Sequence, residues 1–261
     1  MTQEISLLGL SAVYALLLIP LAIFLILRLP ILKDAGVAIL RMTAQLGLVG
    51  LYIELLFSLN RWWLTLLWFL VMLLVANATI LRRAGRRSYR LFPQTLLGLI
   101  LGTTLPMAIL LLLAVRPTPL YDARYLIPLA GMLLGNSLRA NIIALERFVA
   151  GLREGYNGYL ASLSLGATRL EALLPTIKSA LAAAMSPTIA ATATIGLVSL
   201  PGMMTGQILG GSPPLTAITY QIAIMIAILT STAITSSFNL LITVETAFDG
   251  YDIPRAELLD S

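Results

Sequence analysis

The amino-acid sequence predicts an all-α integral membrane protein that crosses the bilayer several times, and two observations support this prediction. The first is composition: 59% of the 261 residues are hydrophobic and 11% are charged, with a mean hydropathy of +0.93, whereas a soluble domain carries about 25% charged residues. The second is that the apolar residues form long segments, separated by short loops. No polar stretch is long enough for a separate soluble domain, so residues 1–261 are predicted to form a single transmembrane domain.

About seven segments have the length and apolarity of a spanning helix, which needs about 20 mostly apolar residues. The last of them is longer than a bilayer requires, so we expect it to extend into the cytoplasm. The segments are residues 5–27, 37–59, 62–81, 92–115, 125–149, 179–200 and 215–248.

The basic residues of the loops predict the orientation, because lysine and arginine are concentrated in cytoplasmic loops. With seven spans, the three most basic loops fall on one side of the membrane. The N-terminus is then predicted to lie outside and the C-terminus in the cytoplasm. The basic residues of that side are Arg28, Lys33, Arg82, Arg83, Arg86, Arg87, Arg90, Arg147, Arg153, Arg169 and Lys178.

The sequence also excludes several kinds of chemistry. Cysteine and histidine are absent, so disulfides, thiolate or histidine metal sites and histidine acid–base catalysis are excluded. No G-x-x-x-x-G-K-[ST] motif occurs, so the chain is not predicted to hydrolyse ATP or to be an enzyme. The net charge of +5 is attributed to the membrane topology rather than to nucleic-acid binding. The apolar N-terminus lacks a basic leading region, which argues against a cleaved signal peptide.

The longest polar insert, about residues 151–178, has an amphipathic pattern. Gly166 weakens the helix in its middle and Pro175 is expected to end it. This pattern predicts two short amphipathic helices, which either rest on lipid headgroups or insert into a groove of a soluble partner. The apolar residues that share one face by helical spacing are Leu160, Leu163, Ala167, Leu170 and Leu174.

A glycine-rich stretch, about residues 199–214, interrupts the helices between the last two predicted spans. Gly202, Gly206 and Gly210 recur every four residues and would form a smooth strip that lets another backbone approach closely. Pro201 and the Pro213-Pro214 pair break a continuous helix. The stretch is either a hairpin that only packs helices or part of a translocation path.

Polar residues within the spans are candidates for function, because they are costly in lipid. Arg41 is expected to extend its side chain to the headgroups, and Arg139 either pairs with Glu146 or lines a polar cavity. Asn77 is predicted to make a hydrogen bond between helices. The candidates for a translocation path are Gln45, Met132, Asn136, Arg139, Met203, Met204, Thr205 and Gln207.

Two G-x-x-x-G pairs, Gly98–Gly102 and Gly131–Gly135, are predicted to pack helices rather than to bind a ligand. Methionine thioethers suit Cu(I) rather than iron. Oxygen ligands from Asn136, Thr205 and Gln207 could contact a hard cation or a metal chelate, but the sequence assigns no metal site.

Three motifs carry a resemblance to a known family. ASLSLGATRLEALLPTIKSAL, residues 161–181, resembles the coupling segment of ABC transporter permeases, although Ala161 stands where an acidic residue is expected. Its LSLGAT part, residues 163–168, resembles the FetB-type iron-export ABC permeases together with LIPLAGMLLGNSL, residues 126–138, and GLVSLPGMMTGQILGG, residues 196–211. Plant relatives of that family are linked to aluminium tolerance.

The resemblance implies a permease subunit that exports iron or another metal-related substrate from the cytoplasm across the plasma or inner membrane. Two copies would pair, and two separate ATP-binding subunits, which carry the ATP and magnesium, would dock beneath them; this chain itself binds no cofactor. The residues that the resemblance assigns to coupling are Leu163, Leu165, Gly166, Ala167, Thr168, Arg169 and Glu171.

Two other functions stay open at the level of the sequence. One is a membrane anchor or assembly protein for a cytoplasmic ATPase. The other is a secondary transporter driven by an ion gradient, which would predict a deep acidic relay and two similar halves. Neither feature is clear in this sequence.

Overall fold

The chain folds as a bundle of α-helices, which confirms the predicted fold class. The computed structural model describes residues 6–59, 61–83 and 91–255, and no β-strand occurs among them. Arg86, Arg87 and Arg90 of the predicted basic loop lie outside the described residues. The helices are α1 (Leu7–Ala15), α2 (Leu18–Ile26), α3 (Leu32–Leu59), α4 (Trp62–Arg83), α5 (Leu91–Ile109), α6 (Ala123–Glu154), α7 (Tyr156–Ser164), α8 (Arg169–Thr194), α9 (Gly202–Leu209) and α10 (Pro214–Thr246), with a π-helical turn, Leu110–Val115, that continues α5.

Within the described residues, six helical segments are long and apolar enough to cross a membrane. Six of the about seven predicted spans are confirmed by this measure. The segment that differs is α8, whose 26 residues reach about 39 Å. Alanine, serine and threonine make up much of α8, which lowers its hydropathy. The orientation of the termini stays a prediction.

Five of the helices form the core. α6 packs against α4, α8 and α10, and α10 packs also against α5, α8 and α9. The most buried side chains of the core come from these helices, because each turns one apolar stripe inward. They include Leu99, Leu133, Phe148, Ile224 and Leu240, all at most 2% exposed.

A polar seam joins α6 to α10 inside the apolar core. Ser137 and Ser231 share a hydrogen bond of 3.1 Å. The amide of Asn141 donates to the Thr235 hydroxyl at 3.1 Å, and Asn239 donates to Oδ1 of Asn141 at 2.7 Å. All five side chains are buried. Such hydrogen bonds between membrane helices contribute about 0.6–2 kcal/mol each, and they fix how α6 and α10 are rotated relative to each other.

The glycines of α5 allow α10 to approach closely. A Cβ at Gly98 would clash with the side chain of Asn239, and one at Gly102 would lie 3.0 Å from the backbone nitrogen of Thr235. The packing role predicted for this pair is confirmed. Asn77 of α4 also donates to the carbonyl of Phe92 at 2.8 Å, as the predicted hydrogen bond between helices requires.

The first three helices lie at the periphery of the bundle. Leu56 is the buried residue of α3, where it packs with Ala123 and Ile127 of α6. Close by, the ring centroids of Tyr52 and Trp68 are 4.3 Å apart. Most of the other described side chains of α1, α2 and α3 are exposed, so these helices depend on the surrounding bilayer more than the core helices do.

Candidate functional site

The predicted coupling segment is an ordered turn between α7 and α8. Gly166 has a φ of +92°, a left-handed conformation that glycine adopts without the steric cost of a Cβ. The backbone nitrogen of Ala167 donates to the carbonyl of Ser162 at 3.0 Å, which closes the turn after α7. At its tip Leu165 is 90% exposed. We call residues Leu165–Thr168 the coupling turn.

A capping box fixes the start of α8. The hydroxyl and the backbone nitrogen of Thr168 both donate to Oε2 of Glu171, at 2.7 and 2.8 Å, and the hydroxyl accepts from the Glu171 nitrogen at 3.4 Å. Hydrogen bonds from the Thr168 side chain and then its backbone lower the pKa of the Glu171 carboxyl below its ordinary value. The carboxylate therefore supports the turn itself.

Arg169, the residue after the turn, is bonded to the end of α10. Its Nε lies 2.8 Å from Oδ1 of Asp252, and its Nη1 donates to the carbonyl of Val244 at 3.1 Å. The guanidinium also lies 5.7 Å from the ring centroid of Phe248, within cation–π range. One side chain thus joins the coupling turn to the last helix and to the segment that follows it.

Tyr159 of α7 reinforces this junction from the other side. Its hydroxyl donates to the carbonyl of Asp252 at 2.6 Å, and its ring centroid lies 5.9 Å from that of Phe248. Burial, and next the nearby Asp252 carboxylate, raise the pKa of Tyr159 to about 12, so the phenol keeps its proton and donates. We call Tyr159, Arg169, Val244, Phe248 and Asp252 the Arg169 clamp.

The amphipathic face predicted for this segment is wrong for two of its residues, Leu170 and Leu174. Leu160 and Leu163 pack against the core, but Leu170 and Leu174 are 46% and 41% exposed. The helix is interrupted between Ser164 and Arg169, where Gly166 has a left-handed conformation, so one helical spacing cannot run through both helices. α8 instead turns its buried residues Leu173, Ile177 and Ala180 inward.

Pro175 does not end the helix, contrary to the prediction. α8 continues through Pro175 and Pro187 to Thr194. Proline removes one backbone hydrogen bond, and both of these prolines lie on the exposed side of α8. Packing of the opposite side against α6 offsets the loss.

The path candidates of α6 lie on a partly open face of the bundle. Asn136 donates to the carbonyl of Met132 at 2.8 Å, and both side chains are half-buried. Arg139 is exposed and lies near the middle of the 32-residue helix. No ion pair within 4 Å joins Arg139 to Glu146 in the described chain, so the first of the two predicted roles for Arg139 is not seen.

The glycine-rich stretch forms a hairpin, residues 195–213, that contains α9 and rests on α10. Met204 is buried and lines a cavity of about 540 Å³ together with Gln221 and Met225 of α10. The Oε1 atoms of Gln207 and Gln221 are buried without a hydrogen-bond partner in the described structure. Met203 packs against the core, and the hydroxyl of Thr205 donates to the carbonyl of Pro201 at 3.1 Å.

The glycine strip of this hairpin has no close neighbour in the described chain. A Cβ at Gly202 or Gly206 would meet no other residue within 4 Å, and one at Gly210 would meet only α9's own backbone. On α6, Gly135 has no neighbour and Gly131 meets the tip of Met72 at 3.5 Å. A packing role for these glycines stays a prediction, and it would involve a second chain.

Gln45 lies apart from the other candidates. It is on α3, where it lines a second cavity together with Arg41, Arg82 and Arg83. The structure therefore brings Met132, Asn136 and Arg139 together along α6 and Met203, Met204, Thr205 and Gln207 along α9, and separates Gln45 from both groups. Among the described residues, no three aspartate or glutamate side chains are grouped as a metal site.

Four members of the Arg169 clamp were not predicted from the sequence: Tyr159, Val244, Phe248 and Asp252. None of the four belongs to a sequence pattern that singles it out. The signal that could have indicated them is the acidic pair Asp249 and Asp252, placed directly after the last span and opposite a basic segment.

Comparisons with known proteins agree with a membrane protein of this architecture. The family described as "Uncharacterised protein family (UPF0014)" matches residues 7–248. A UPF0014 membrane protein of Synechocystis is 34% identical over 219 residues, 84% of this chain and 83% of its own length. The protein ALUMINUM SENSITIVE 3 of Arabidopsis thaliana is 36% identical over 202 residues, 74% and 71% of the two chains.

A third relative carries a functional name. The probable iron export permease protein FetB of Escherichia coli is 31% identical over 213 residues, 80% of this chain and 79% of its own length. No solved structure matches the chain.

Proposed function

The chain belongs to the UPF0014 family and is a multi-pass membrane protein, and from that premise we propose that it is the permease subunit of an ATP-driven exporter. Two copies form the transmembrane part, and two separate ABC ATP-binding subunits dock on their cytoplasmic face and hold the ATP and magnesium. The cargo is iron or a metal-related species, by analogy with the relative that is named a probable iron export permease.

The observation that best supports this proposal is that Leu165, at the tip of the coupling turn, is exposed while the rest of the turn is held in place by hydrogen bonds and an ion pair. Leu165 projects from the coupling turn with 90% of its surface free, as an anchor for a groove on a partner requires. Behind the tip, the capping box and the Arg169 clamp hold the turn against α10. A push on Leu165 is therefore passed to a helix that lies at the centre of the bundle.

Arg139 supports the location of the path. An arginine near the centre of a spanning helix costs several kcal/mol in lipid, roughly 2.5–3.5 on insertion scales. The side chain is nevertheless exposed in the single chain. We therefore place it against a second copy or a water-filled path, with Asn136 and Met132 on the same open side of α6.

The test is copurification and transport with a stand-alone ABC ATP-binding subunit from the same genome. The pair is reconstituted in liposomes with the ATP-binding subunits facing the bath, ferrous iron and ATP are both added to the bath, and ATP hydrolysis and iron uptake are recorded. We expect ATP-dependent iron movement with the wild-type chain. Binding of the ATPase without any transport would instead indicate a membrane anchor.

A matched pair of variants locates the docking point. Leu165→Asp places a charge at the tip of the coupling turn, whereas Leu197→Asp places the same charge on an equally exposed leucine (93%) of the hairpin at the other end of α8. Loss of the ATPase from Leu165→Asp alone supports docking at the coupling turn. Equal retention in both variants contradicts it.

A further inference from the structure

A second feature of the molecule, the groove between α3 and α4, points to a ligand that is unrelated to the coupling turn. The ring centroids of Tyr52 of α3 and Trp68 of α4 lie 4.3 Å apart, with the rings tilted by 35°. Where α3 begins and α4 ends, the two helices line an open cavity of about 610 Å³. We call this cavity the basic groove.

The polar side of the basic groove is positively charged. Among the described residues, its ionisable lining consists of Arg41, Arg82 and Arg83 against one carboxylate, Asp34, which gives these side chains a formal charge of +2. Gln45 adds an amide. Guanidinium groups bind phosphate oxygens through paired N–H donors, so this group of side chains suits a phosphate.

The other wall of the groove is apolar. Val37, Met42 and Leu46 line it from α3, on a helix whose side chains are largely exposed. A space between two spanning helices is filled by hydrocarbon in a bilayer. The groove thus combines a cationic mouth with an apolar wall that continues toward the membrane interior.

The arginines lie at, or reach toward, the depth where the headgroups of the bilayer are expected. Arg82 and Arg83 are the last two residues of α4, so they lie where a spanning helix leaves the hydrocarbon. Arg41 is the tenth residue of α3, about 13.5 Å from its start, and a long side chain from that depth reaches toward the headgroups. An anion at the mouth would neutralise a charge that is costly within a span.

From this geometry we infer that the basic groove binds one anionic phospholipid, with its phosphate at Arg41, Arg82 and Arg83 and an acyl chain along Met42 and Leu46. Basic pockets between membrane helices at this level recognise anionic headgroups in general. The inference concerns the described part of the chain and holds whether or not the protein is a transporter.

The experiment compares two lipids on the purified full chain by native mass spectrometry. Phosphatidylglycerol supplies a phosphate with net negative charge, and phosphatidylcholine supplies the same phosphate without it. We expect preferential binding of phosphatidylglycerol. Because each arginine contributes about 1 kcal/mol near a charged surface, or about fivefold in affinity, Arg82→Gln with Arg83→Gln should weaken that binding by about 25-fold.

The matched control removes two arginines from the other end of the bundle, Arg116→Gln with Arg124→Gln, where Arg116 follows the π-helical turn after α5 and Arg124 lies in the first turn of α6. It should leave the lipid preference unchanged. A preference that survives the loss of Arg82 and Arg83, or that falls equally in the control, overturns the inference. Unfolding temperatures of all variants in detergent establish that each one is folded.

Two further arms separate a lipid site from a simple anion site. Met42→Trp fills the apolar wall and keeps every arginine, so it should weaken phosphatidylglycerol binding; unchanged binding would contradict the acyl-chain part of the inference. Inorganic phosphate is the second arm. If it competes with the lipid at equal concentration, the site holds a free anion, and the assignment to a phospholipid is wrong.

Discussion

The two ends of α8 differ in how many contacts the rest of the chain makes with the segments next to them. At the first end, the coupling turn is closed by the capping box and tied to α10 by the Arg169 clamp. At the second end, the hairpin of residues 195–213 exposes Leu197 and Val198, and the side-chain carbonyl oxygen of Gln207 has no hydrogen-bond partner among the described residues. The first end is therefore held by contacts within this chain, whereas the second end has fewer such contacts among the described residues.

The largest expected effect of a single change is at the clamp. Arg169→Ala removes the ion pair with Asp252 and the hydrogen bonds to the carbonyls of Val244 and Glu245. We expect this to lower the free energy of unfolding by about 2 kcal/mol, after allowance for the partial exposure of the pair. Thermal unfolding in detergent measures it. The control is Arg147→Ala on an exposed position of α6, expected to change stability by less than about 0.5 kcal/mol. Equal losses of stability in the two variants would show that the Arg169 clamp does not stabilise the fold.

The next largest effect is expected at Gly166 of the coupling turn, in comparison with Gly206 of the hairpin. Gly166→Ala forces a Cβ into a left-handed conformation and should cost about 1–2 kcal/mol. Gly206→Ala lies in α9 with no neighbour within 4 Å, so it should be neutral or stabilise by up to about 1 kcal/mol. Unfolding temperatures of the two variants decide the point. A loss at Gly206 as large as at Gly166 would show that the glycine strip is already packed, against a second copy.

A smaller effect is expected at the capping box. Thr168→Ala should cost about 1 kcal/mol. The contribution of Glu171 should depend on pH, because its pKa is lower in the folded protein than its ordinary value. Its stabilisation is therefore present above the ordinary carboxyl pKa and is lost as the pH falls through the folded value. The unfolding temperatures of wild type and Glu171→Ala should differ at neutral pH and converge at acid pH; a constant difference contradicts the prediction.

The smallest effect on stability is expected at the hairpin. Gln207→Leu removes a buried oxygen that has no partner, so the unfolding temperature should stay the same or rise slightly, since the cost of burying that group disappears. If the hairpin lines the path, transport in liposomes should change while assembly stays normal. Normal transport by this variant would make the hairpin a packing element only.

The sequence predicts the fold well because span length and apolarity are local properties. It also identifies the turn around Gly166, because a glycine between two amphipathic runs has a strong local meaning. The contacts of Arg169 could not be predicted in the same way. Its partners lie 75 to 83 residues further along the chain, and only the packing of α8 on α10 brings them together.

The spacing rule failed where the chain turns. It assigned Leu170 and Leu174 to the face of Leu163, although the coupling turn lies between them. The prediction that Pro175 ends the helix is also wrong, because the packing of α8 on α6 offsets the backbone hydrogen bond that proline removes. Gln45 was grouped with Arg139 on polarity alone, and the structure separates the two residues because α3 lies outside the core.

If the coupling turn drives transport through the Arg169 clamp, as we propose, the ratio of iron moved to ATP hydrolysed depends on the contacts of Arg169. In liposomes with the ATP-binding subunit, Arg169→Gln keeps Leu165 exposed for docking and weakens the link to α10. We predict that the ATPase stays bound and active while the transport ratio falls by roughly tenfold, as expected for a loss of about 1.4 kcal/mol in coupling. An unchanged ratio with full ATPase activity would contradict the claim.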